Sequence, residues 1–541
     1  MWQQNYTAVA GSVGLTALTA GFPILVLLIM IGVFRKAAWL SSVMGLAGAL
    51  LVAIAVFGMP AGLAFTSIAY GAASGLFPIG WVVFTAILLY NITVDTGKFE
   101  IVKRSIANLT DDRRLQALLI AFAFGAFIEG AAGFGTPVAV AASMLTGLGF
   151  SPFFAGGICL LANTAPVAFG SIATPLITLA STTKLPLMQL GAGVGRICAP
   201  VSLIIPAYLI VVMGGWKALR GVLPAAAICG LTFAGVQLGV SNFIGPELTD
   251  ILSSLSAIGV LVVLLRVWRP KDTFQLEGDG PAHPWTSIRL GEALHAWTPF
   301  VLLVVCVLFW TYKPVQTWMV SLAIRFPWPG LHNIVQKMPP VTTAQAPYDA
   351  MYTFPWLSAS GTSCLVAALL SAAVLGVSPA RFFRILGKSA RQLVFAELTI
   401  AVVMALAFLM NYSGATATMG LAFARTGGLF PFFSALLGWI GVFLTGSDTS
   451  ANALFGNLQV VTAQRLGMNP VLMAASNSSG GVMGKMISLQ SIAVAAAATS
   501  AGTGKEEGRL FRFTLKHSIL LASLIGLIVM FYAYAGKSLA P

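Results

Sequence analysis

The sequence predicts an all-α polytopic membrane protein with about 12–14 transmembrane helices, arranged as two inverted repeats that contain broken or re-entrant helices. Three observations lead to this prediction: the composition, a pattern that occurs twice, and the placement of the basic residues. Of the 541 residues, 58% are hydrophobic and only 9% are charged, and the mean hydropathy is +0.90. This composition is typical of a chain whose solvent is lipid, and runs of about 20 apolar residues, enough to cross a bilayer, recur along it.

The same pattern of residues occurs twice, more than three hundred residues apart. Each copy has a glycine-broken apolar segment, a Leu-Gly-x-x-Pro turn, an Asn-hydroxyl pair and a final glycine followed by Ser or Lys. The copies are Gly125–Gly130, Leu148–Pro152, Asn163–Thr164 and Gly170–Ser171, and then Gly441–Gly446, Leu466–Pro470, Asn477–Ser478 and Gly484–Lys485. Inside a membrane, polar and helix-breaking stretches persist only where they are buried in protein or line a cavity. Two interrupted helical segments at matching positions therefore indicate a transport site.

The basic residues fix the expected orientation. The formal net charge is +14, but most Lys and Arg fall in short loops, the positive-inside pattern of cytoplasmic loops, and we expect no nucleic-acid partner. Both termini are then periplasmic. The segment leading to Asn91 runs toward a basic loop and the segment leading to Asn411 runs away from one, so the two copies are antiparallel. The basic loops hold Arg35 and Lys36; Lys98, Lys103, Arg104, Arg113 and Arg114; Arg266, Arg269, Lys271 and Arg289; Arg381, Arg384, Lys388 and Arg391; and Lys505, Arg509, Arg512 and Lys516.

These segments divide the chain into four parts. They are residues 1–75, N-terminal transmembrane helices; 76–268, the first repeat half and the helices after it; 269–392, a connector; and 393–541, the second, inverted repeat half and the C-terminal helix. The connector contains a polar cytoplasmic loop with Gly278–Pro281 and an outer segment, Lys313–Trp356, which is rich in Pro and Trp. Tryptophan is enriched where a protein meets the membrane interface.

Glu129 is the first candidate for proton coupling. It lies in the run Phe124–Pro137, beside a helix break made of glycines and Pro137. Burial in a surrounding of low dielectric constant favours the neutral acid, which gives a group that can load and release a proton. The alternative is that Glu129 pairs structurally with a basic residue or lies at an interface.

Asp448 is the second candidate for proton coupling. In the stretch Leu444–Asn452, hydroxyls, an amide and a carboxylate stand in an otherwise apolar region, and Ser450 and Asn452 are candidate substrate ligands. Ser and Asp are also good N-caps, so this stretch can simply begin a half-helix. Such a helix start is itself a seat for an anion, because its free N–H groups and dipole attract negative charge.

Lys485 is the main candidate for binding a substrate carboxylate, since it is the only lysine in a long apolar stretch. A lysine at that depth is costly unless it is paired or hydrated. Arg196 is a second possible carboxylate ligand through its bidentate fork, although it can equally lie near a helix end with its charge at the interface. The remaining candidates are polar residues of the repeated motifs: Thr136, Asn163, Thr164, Asn477, Ser478 and Ser479.

The motifs resemble those of the bacterial L-lactate permease family, which includes glycolate permeases. The resemblance rests on Gly125–Gly135, Asn163–Gly170, Leu444–Ser450 and Gly481–Ser488, and it extends from Trp2 to the last helix. Where a proline is expected after Ser488, this chain has Leu489. The resemblance implies proton-coupled uptake of L-lactate and related small 2-hydroxy monocarboxylates, D-lactate and glycolate included, across the bacterial inner membrane.

The expected mechanism follows from charge balance. Lactate is an anion, and moving one negative charge inward against an interior-negative potential costs about 2.3 kcal/mol per 100 mV. A proton carried together with lactate makes the transported load electroneutral. Glu129 would carry the proton, Lys485 and half-helix starts near Asn163 and Asn477 would hold the carboxylate, and Ser479, Ser450 or Asn452 would bind the 2-hydroxyl. A sodium-coupled carboxylate transporter is the main alternative, and a channel is another. The five cysteines and four histidines show no ligand spacing, so we expect no cofactor, no metal and no enzymatic activity.

Overall fold

The computed structural model describes residues 1–107, 109–133, 135–272, 274, 288–499 and 504–539. The chain begins with a short strand and a group of helices. They are β1 (Trp2–Gln3), α1 (Val13–Gly32), α2 (Ala38–Ala55), α3 (Ala61–Ser74), α4 (Trp81–Asp95) and the amphipathic α5 (Lys98–Ala107), with a π-helical turn at Gly75–Gly80 between α3 and α4. Ser12 caps α1, because its side chain accepts from the N–H of Leu15.

The first repeat folds into a hairpin followed by a broken helix. Its elements are α6 (Arg113–Gln116), a π-helical stretch (Ala117–Phe124), α7 (Gly125–Ala131), α8 (Thr136–Gly147), α9 (Pro152–Ala162), a 3₁₀ turn (Val167–Phe169) and α10 (Gly170–Thr183). The chain reverses between α7 and α8, where Gly133 and Gly135 have φ of +62° and +82°, a region that glycine enters without steric cost. The Arg113 guanidinium donates to the Leu148 carbonyl, so the beginning of α6 and the end of α8 lie side by side.

The middle of the chain contains long helices and a small β layer. The elements are α11 (Leu187–Phe243), α12 (Thr249–Val267), α13 (Leu290–Thr311), α14 (Lys313–Ser321), β2 (Ile324–Pro327), β3 (Val335–Lys337), β4 (Ala346–Pro347), β5 (Met351–Phe354) and α15 (Ser360–Val374). Strand β3 pairs in parallel with β1 and antiparallel with β4, and β2 pairs antiparallel with β5. The predicted outer segment is thus a short helix and a layer of strands, which we call the β layer. Gly278–Pro281 of the predicted cytoplasmic loop lies outside the described residues.

The second repeat has the same succession of elements as the first. A long helix, α16 (Pro379–Ser413), and α17 (Ala415–Phe423) lead into α18 (Phe430–Thr445), α19 (Asp448–Arg465), α20 (Pro470–Lys485) and α21 (Leu489–Ala498). The last α-helix, α22 (Gly504–Tyr534), is followed by a 3₁₀ turn at Lys537–Leu539. Helices α18 and α19 form a hairpin, since the Ser434 hydroxyl donates to Gln459 Oε1 at 2.8 Å. The two repeats also pack reciprocally: α10 packs on α19, and α21 packs on α8.

Eleven helical stretches of the described residues are long and apolar enough to cross a membrane, or up to twelve if the bent pair α9–α10 counts as one span. One of them, α11, has 57 residues, or roughly 86 Å at 1.5 Å per residue, which exceeds a single crossing of about 30 Å. Its backbone leaves the helical region at Gly214 and Gly215, so we count it as two crossings. The all-α polytopic fold is confirmed, while the division into four parts stays a prediction.

The inverted relation of the two repeats also stays a prediction, but the surroundings of the two hairpins agree with it. Near the open end of the first hairpin, Arg114 forms a salt bridge with Asp272, in the basic loop after α12. Near the open end of the second hairpin, Val461 of α19 packs in one cluster with Tyr6, which follows the β1 strand of the β layer. These neighbours are the ones that an inverted arrangement of the two hairpins predicts.

Helices α18 and α20 lie in close contact along a line of glycines. A Cβ atom on Gly480 would collide with the Ala435 carbonyl of α18, and one on Gly438 would collide with the Asn477 carbonyl of α20. Small residues allow such close approach of helix backbones in membranes. We therefore expect Gly480→Val to push the helices apart and to cost about 1–3 kcal/mol of stability or more, as overpacking does.

Thermal unfolding of the detergent-solubilised protein, followed by the loss of the monodisperse size-exclusion peak, measures this effect. Gly239→Ala is the matched control, because Gly239 lies in α11 with open space at its Cβ position. An unchanged midpoint for Gly480→Val would contradict the close packing of α18 on α20.

Candidate functional site

A cavity of about 330 Å³ lies where the two repeats meet. Its polar wall is formed by Glu129 from α7, Ser171 from α10, Asp448, Thr449 and Ser450 from the start of α19, and Lys485 from the end of α20. The volume lies within the range of small-molecule sites, roughly 300–1,000 Å³. Four residues predicted from the sequence therefore share one cavity: Glu129, Asp448, Ser450 and Lys485.

The opposite wall of the cavity is apolar and reaches the protein surface. Trp39 at the start of α2 and Phe395 of α16 line it, and their rings stack with centroids 5.6 Å apart. Phe395 is 59% exposed, and Ala37, which follows the basic pair Arg35 and Lys36, also lines the cavity. The cavity thus reaches the surface beside the basic pair Arg35 and Lys36.

Glu129 is buried in the cavity wall with unused hydrogen-bonding capacity. Its side chain is 4% exposed, and Oε2 has no hydrogen-bond partner within the described part of the chain. Gly170 makes room for it, since a Cβ at Gly170 would come within 2.6 Å of Glu129 Oε1. Asn163 lies beside the carboxyl, and Lys485 interacts with it electrostatically. A carboxyl in this setting can take up or release a proton without breaking a network of bonds.

A strained turn borders Glu129. Ser171, Ile172 and Ala173, at the start of α10, have φ of +46°, +55° and +58°, the left-handed region that costs non-glycine residues about 1–2 kcal/mol each. Ser171 lines the cavity, and its buried hydroxyl is without a partner among the residues described. Strain of this kind persists where the surrounding structure imposes it and is common at ligand sites.

Asp448 is held in place by a buried network of amides and hydroxyls. Its Oδ2 accepts from Ser478 Oγ at 2.5 Å and from Asn452 Nδ2 at 3.2 Å. Asn452 Oδ1 accepts from Asn477 Nδ2 at 2.9 Å, and Asn477 Oδ1 accepts from Gln459 Nε2 at 3.0 Å. Ser478, Asn452 and Asn477 are thus bonded behind Asp448 and do not line the cavity.

The expected half-helix start at Asp448 is confirmed. Ser447 is the N-cap of α19, and its hydroxyl accepts from the N–H of Ser450 at 3.2 Å. Asp448 Oδ1 has no hydrogen-bond partner in the part of the chain that the structure describes. The positive end of the α19 dipole therefore points at the cavity, where it favours an anion.

Lys485 caps the end of α18 and interacts at longer range with the two acids of the cavity. Its Nζ donates to the Gly446 carbonyl at 2.6 Å, and Gly446 is the left-handed C-cap of α18. A cation is favoured at such a helix C-terminus. Lys485 is 8% exposed and interacts electrostatically with both Glu129 and Asp448, although the described residues include no direct ion pair with it.

The expectation that half-helices start near Asn163 and Asn477 is wrong. Asn163 follows the last residue of α9 as its C-cap, and Asn477 lies inside α20. The half-helices that start at the cavity are α10 and α19, whose first residues line it. Asparagine is a good N-cap residue, but it also occurs where helices end, as Asn163 does, and Asn477 is accommodated inside α20 because its amide is hydrogen-bonded to Asn452 and Gln459.

Four other candidates lie outside the cavity. Thr164 donates to the Leu161 carbonyl at 2.8 Å as part of the α9 end, and Thr136 is the half-buried first residue of α8. Arg196, on α11, donates from Nε to Asn242 Oδ1 at 2.8 Å. Ser479 is buried, with its hydroxyl unpartnered among the described residues. The structure brings none of these four to the cavity wall.

Sequence reasoning passed over Asp250, which is buried near Glu129. It belongs to the first turn of α12 and is 1% exposed. The signal was a single carboxyl inside an apolar segment, which is rare and costly in a membrane. Its position three residues after Glu247, close to Gly245 and Pro246, resembles the ordinary acidic first turn of a helix.

An all-helical membrane protein in which paired broken helices surround a buried charged cavity has the architecture of a secondary transporter. The L-lactate permease family model matches residues 16–536 of this chain. The chain belongs to this family, and it is therefore a multi-pass membrane transporter and not an enzyme.

Relatives of similar length support this assignment. The chain is 44% identical to the glycolate permease GlcA of Escherichia coli K12 over 98% of both chains. It is 43% identical to the L-lactate permease of Bacillus subtilis 168 and 42% identical to that of Escherichia coli K12, in each case over 100% of both chains. Among solved structures, the YdaH transporter of Alcanivorax borkumensis aligns over 88% of both chains with a TM-score of 0.43 and 13% identity.

Proposed function

We propose that this chain imports L-lactate and related small 2-hydroxy monocarboxylates, glycolate and D-lactate included, across the bacterial inner membrane together with a proton. The observation that carries the proposal is the cavity that joins Lys485, the start of α19 and the buried Glu129. One lysine suits one carboxylate. The named activities of the relatives, lactate and glycolate permeation, supply the substrate class.

The substrate carboxylate lies between Lys485 Nζ and the first N–H groups of α19. Lys485 needs only to turn from the Gly446 carbonyl, which it now caps at 2.6 Å. The hydroxyls of Ser450, Thr449 and Ser171 line the same cavity and provide partners for the 2-hydroxyl group. A charge-assisted hydrogen bond to the carboxylate contributes about 1.5–3 kcal/mol.

The proton couples to the substrate through competition for Lys485. The ionised Glu129 and Asp448 both attract Lys485, so the bound carboxylate has to compete with them. Protonation of Glu129 removes one of the two competing carboxylates, so that Lys485 interacts more strongly with the substrate carboxylate. Asp448 is the second acid of the cavity, but its Oδ2 is already engaged by Ser478 and Asn452, which makes Glu129 the better proton carrier.

The orientation follows the basic loops. The cavity reaches the surface next to Arg35 and Lys36, so this state faces the cytoplasm under the positive-inside rule. The β layer and both termini then lie on the periplasmic side. Alternating access moves the two antiparallel repeats around the cavity between them.

Transport into proteoliposomes tests the proposal. With an imposed gradient of one pH unit, interior alkaline, and no voltage, we expect radiolabelled lactate to accumulate up to about tenfold, since one pH unit per proton is worth about 1.36 kcal/mol. Protein-free liposomes give the passive diffusion of lactic acid, which is subtracted from initial rates. Replacing sodium with choline at the same pH gradient should leave the accumulation of lactate unchanged. Accumulation that follows a sodium gradient at constant pH would identify a sodium-coupled carboxylate transporter instead, and equilibration without accumulation would identify a channel.

A further inference from the structure

Asp250 is a buried acid that the transport cavity itself does not use. It is 1% exposed, and both of its carboxyl oxygens are without a hydrogen-bond partner in the described parts of the chain. An isolated carboxyl at this depth is strongly disfavoured when it is ionised. Both oxygens are nevertheless available to give or accept a proton.

Asp250 lies directly behind Glu129. Helix α12 packs against α7, and a Cβ on Gly130, the residue after Glu129, would come within 2.8 Å of Asp250 Cβ. Glu129 interacts electrostatically with Asp250. The thiol of Cys198 on α11 also interacts electrostatically with Asp250. Among the described residues these are the titratable groups that face Asp250 from α7 and α11.

A third acid continues the line away from the cavity. Glu247 precedes Asp250 by three residues, about one helical turn, in the 3₁₀ turn Pro246–Leu248. Its Oε1 accepts from the Ser360 hydroxyl at 3.3 Å, and Ser360 begins α15 just after the β layer. Glu129, Asp250 and Glu247 therefore lead toward the β-layer end, whereas the cavity reaches the surface at the basic-loop end.

From this geometry we infer that Asp250 is a proton-relay residue, which passes the transported proton between Glu247 and Glu129 by a route separate from the substrate cavity. The inference rests on the proposed proton symport. In each step an O–H bond of one carboxyl breaks as an O–H bond of the next forms, so that one proton moves and no other bond changes. Small movements of the three side chains, or bridging waters, complete the contacts.

The test compares two activities of the same reconstituted protein. In Asp250→Asn we expect accumulation driven by one pH unit to fall from about tenfold to no accumulation, because an amide cannot relay the proton. Counterflow, in which internal unlabelled lactate exchanges for external labelled lactate, should stay within about threefold of the unaltered protein, since Glu129 keeps its proton during exchange. Asp250→Glu should restore accumulation.

Several outcomes would overturn the relay. The first is normal accumulation by Asp250→Asn. The second is an equal loss of accumulation and counterflow in that variant, which would indicate a structural role. The third is failure of Asp250→Glu to restore accumulation. Asp111→Asn is the matched control, because Asp111 is exposed. A failure of the proposed function is distinguishable, since the unaltered protein itself would then show no pH-driven accumulation.

Discussion

Glu129→Gln is expected to abolish the accumulation of lactate by a pH gradient while leaving lactate exchange partly intact. Glutamine keeps nearly the same shape in the space left by Gly170, but it has no titratable proton. The concentration ratio at one pH unit should fall from about tenfold to one, measured in proteoliposomes, and counterflow should persist. Equal loss of accumulation and counterflow would count against a proton role for Glu129.

The pH dependence of substrate affinity gives the same variant a second readout. In the unaltered protein the KM of counterflow should rise with pH, because ionised Glu129 competes with the substrate for Lys485. In Glu129→Gln one of the two competing acids is permanently neutral, so KM should be lower and should depend less on pH than in the unaltered protein. Glu292→Gln is the control, since Glu292 is exposed at the start of α13. Asp448→Asn shows which acid couples transport: it should lower rates but keep the pH dependence of KM.

The fold was largely predictable because membranes impose simple constraints. Apolar length reveals the crossing segments, and glycine and proline in such segments reveal the breaks, as at Gly133 and Gly135. The β layer was not predictable, since its strands are two to four residues long and carry no clear period. Three left-handed residues in a row at Ser171–Ala173 were likewise not predictable, because local preference disfavours this conformation and only the surrounding structure can impose it.

The site was predictable where a single charge stands alone in an apolar segment. Glu129 and Lys485 belong to this class, and the structure brings both to the same cavity. Buried amides are ambiguous, because a sequence does not reveal whether an asparagine meets a ligand or another amide. Asn452 and Asn477 are hydrogen-bonded to each other behind Asp448. This arrangement is determined by the packing of α19 on α20 and not by the local sequence.

Lys485→Ala is expected to weaken substrate binding more than any other single change in the cavity. Loss of a charge-assisted hydrogen bond to a carboxylate, about 1.5–3 kcal/mol, raises the KM of counterflow roughly tenfold to hundredfold. The maximal rate should change less, because the proton-carrying Glu129 remains. Initial rates of labelled lactate exchange at several concentrations measure both quantities.

The contact with Gly446 makes a structural role the competing explanation for Lys485. If Lys485 only caps α18, its removal lowers thermal stability without changing the KM of the folded fraction, because capping acts on the helix and not on the ligand. Lys485→Arg separates the two roles: it retains the charge and should keep KM closer to normal than alanine does. Lys388→Ala, at an exposed position of α16, controls for the loss of a positive charge. An unchanged KM in Lys485→Ala would indicate that the start of α19 alone binds the substrate carboxylate. Substitutions at Thr449 and Ser450 would then raise KM more than Lys485→Ala does.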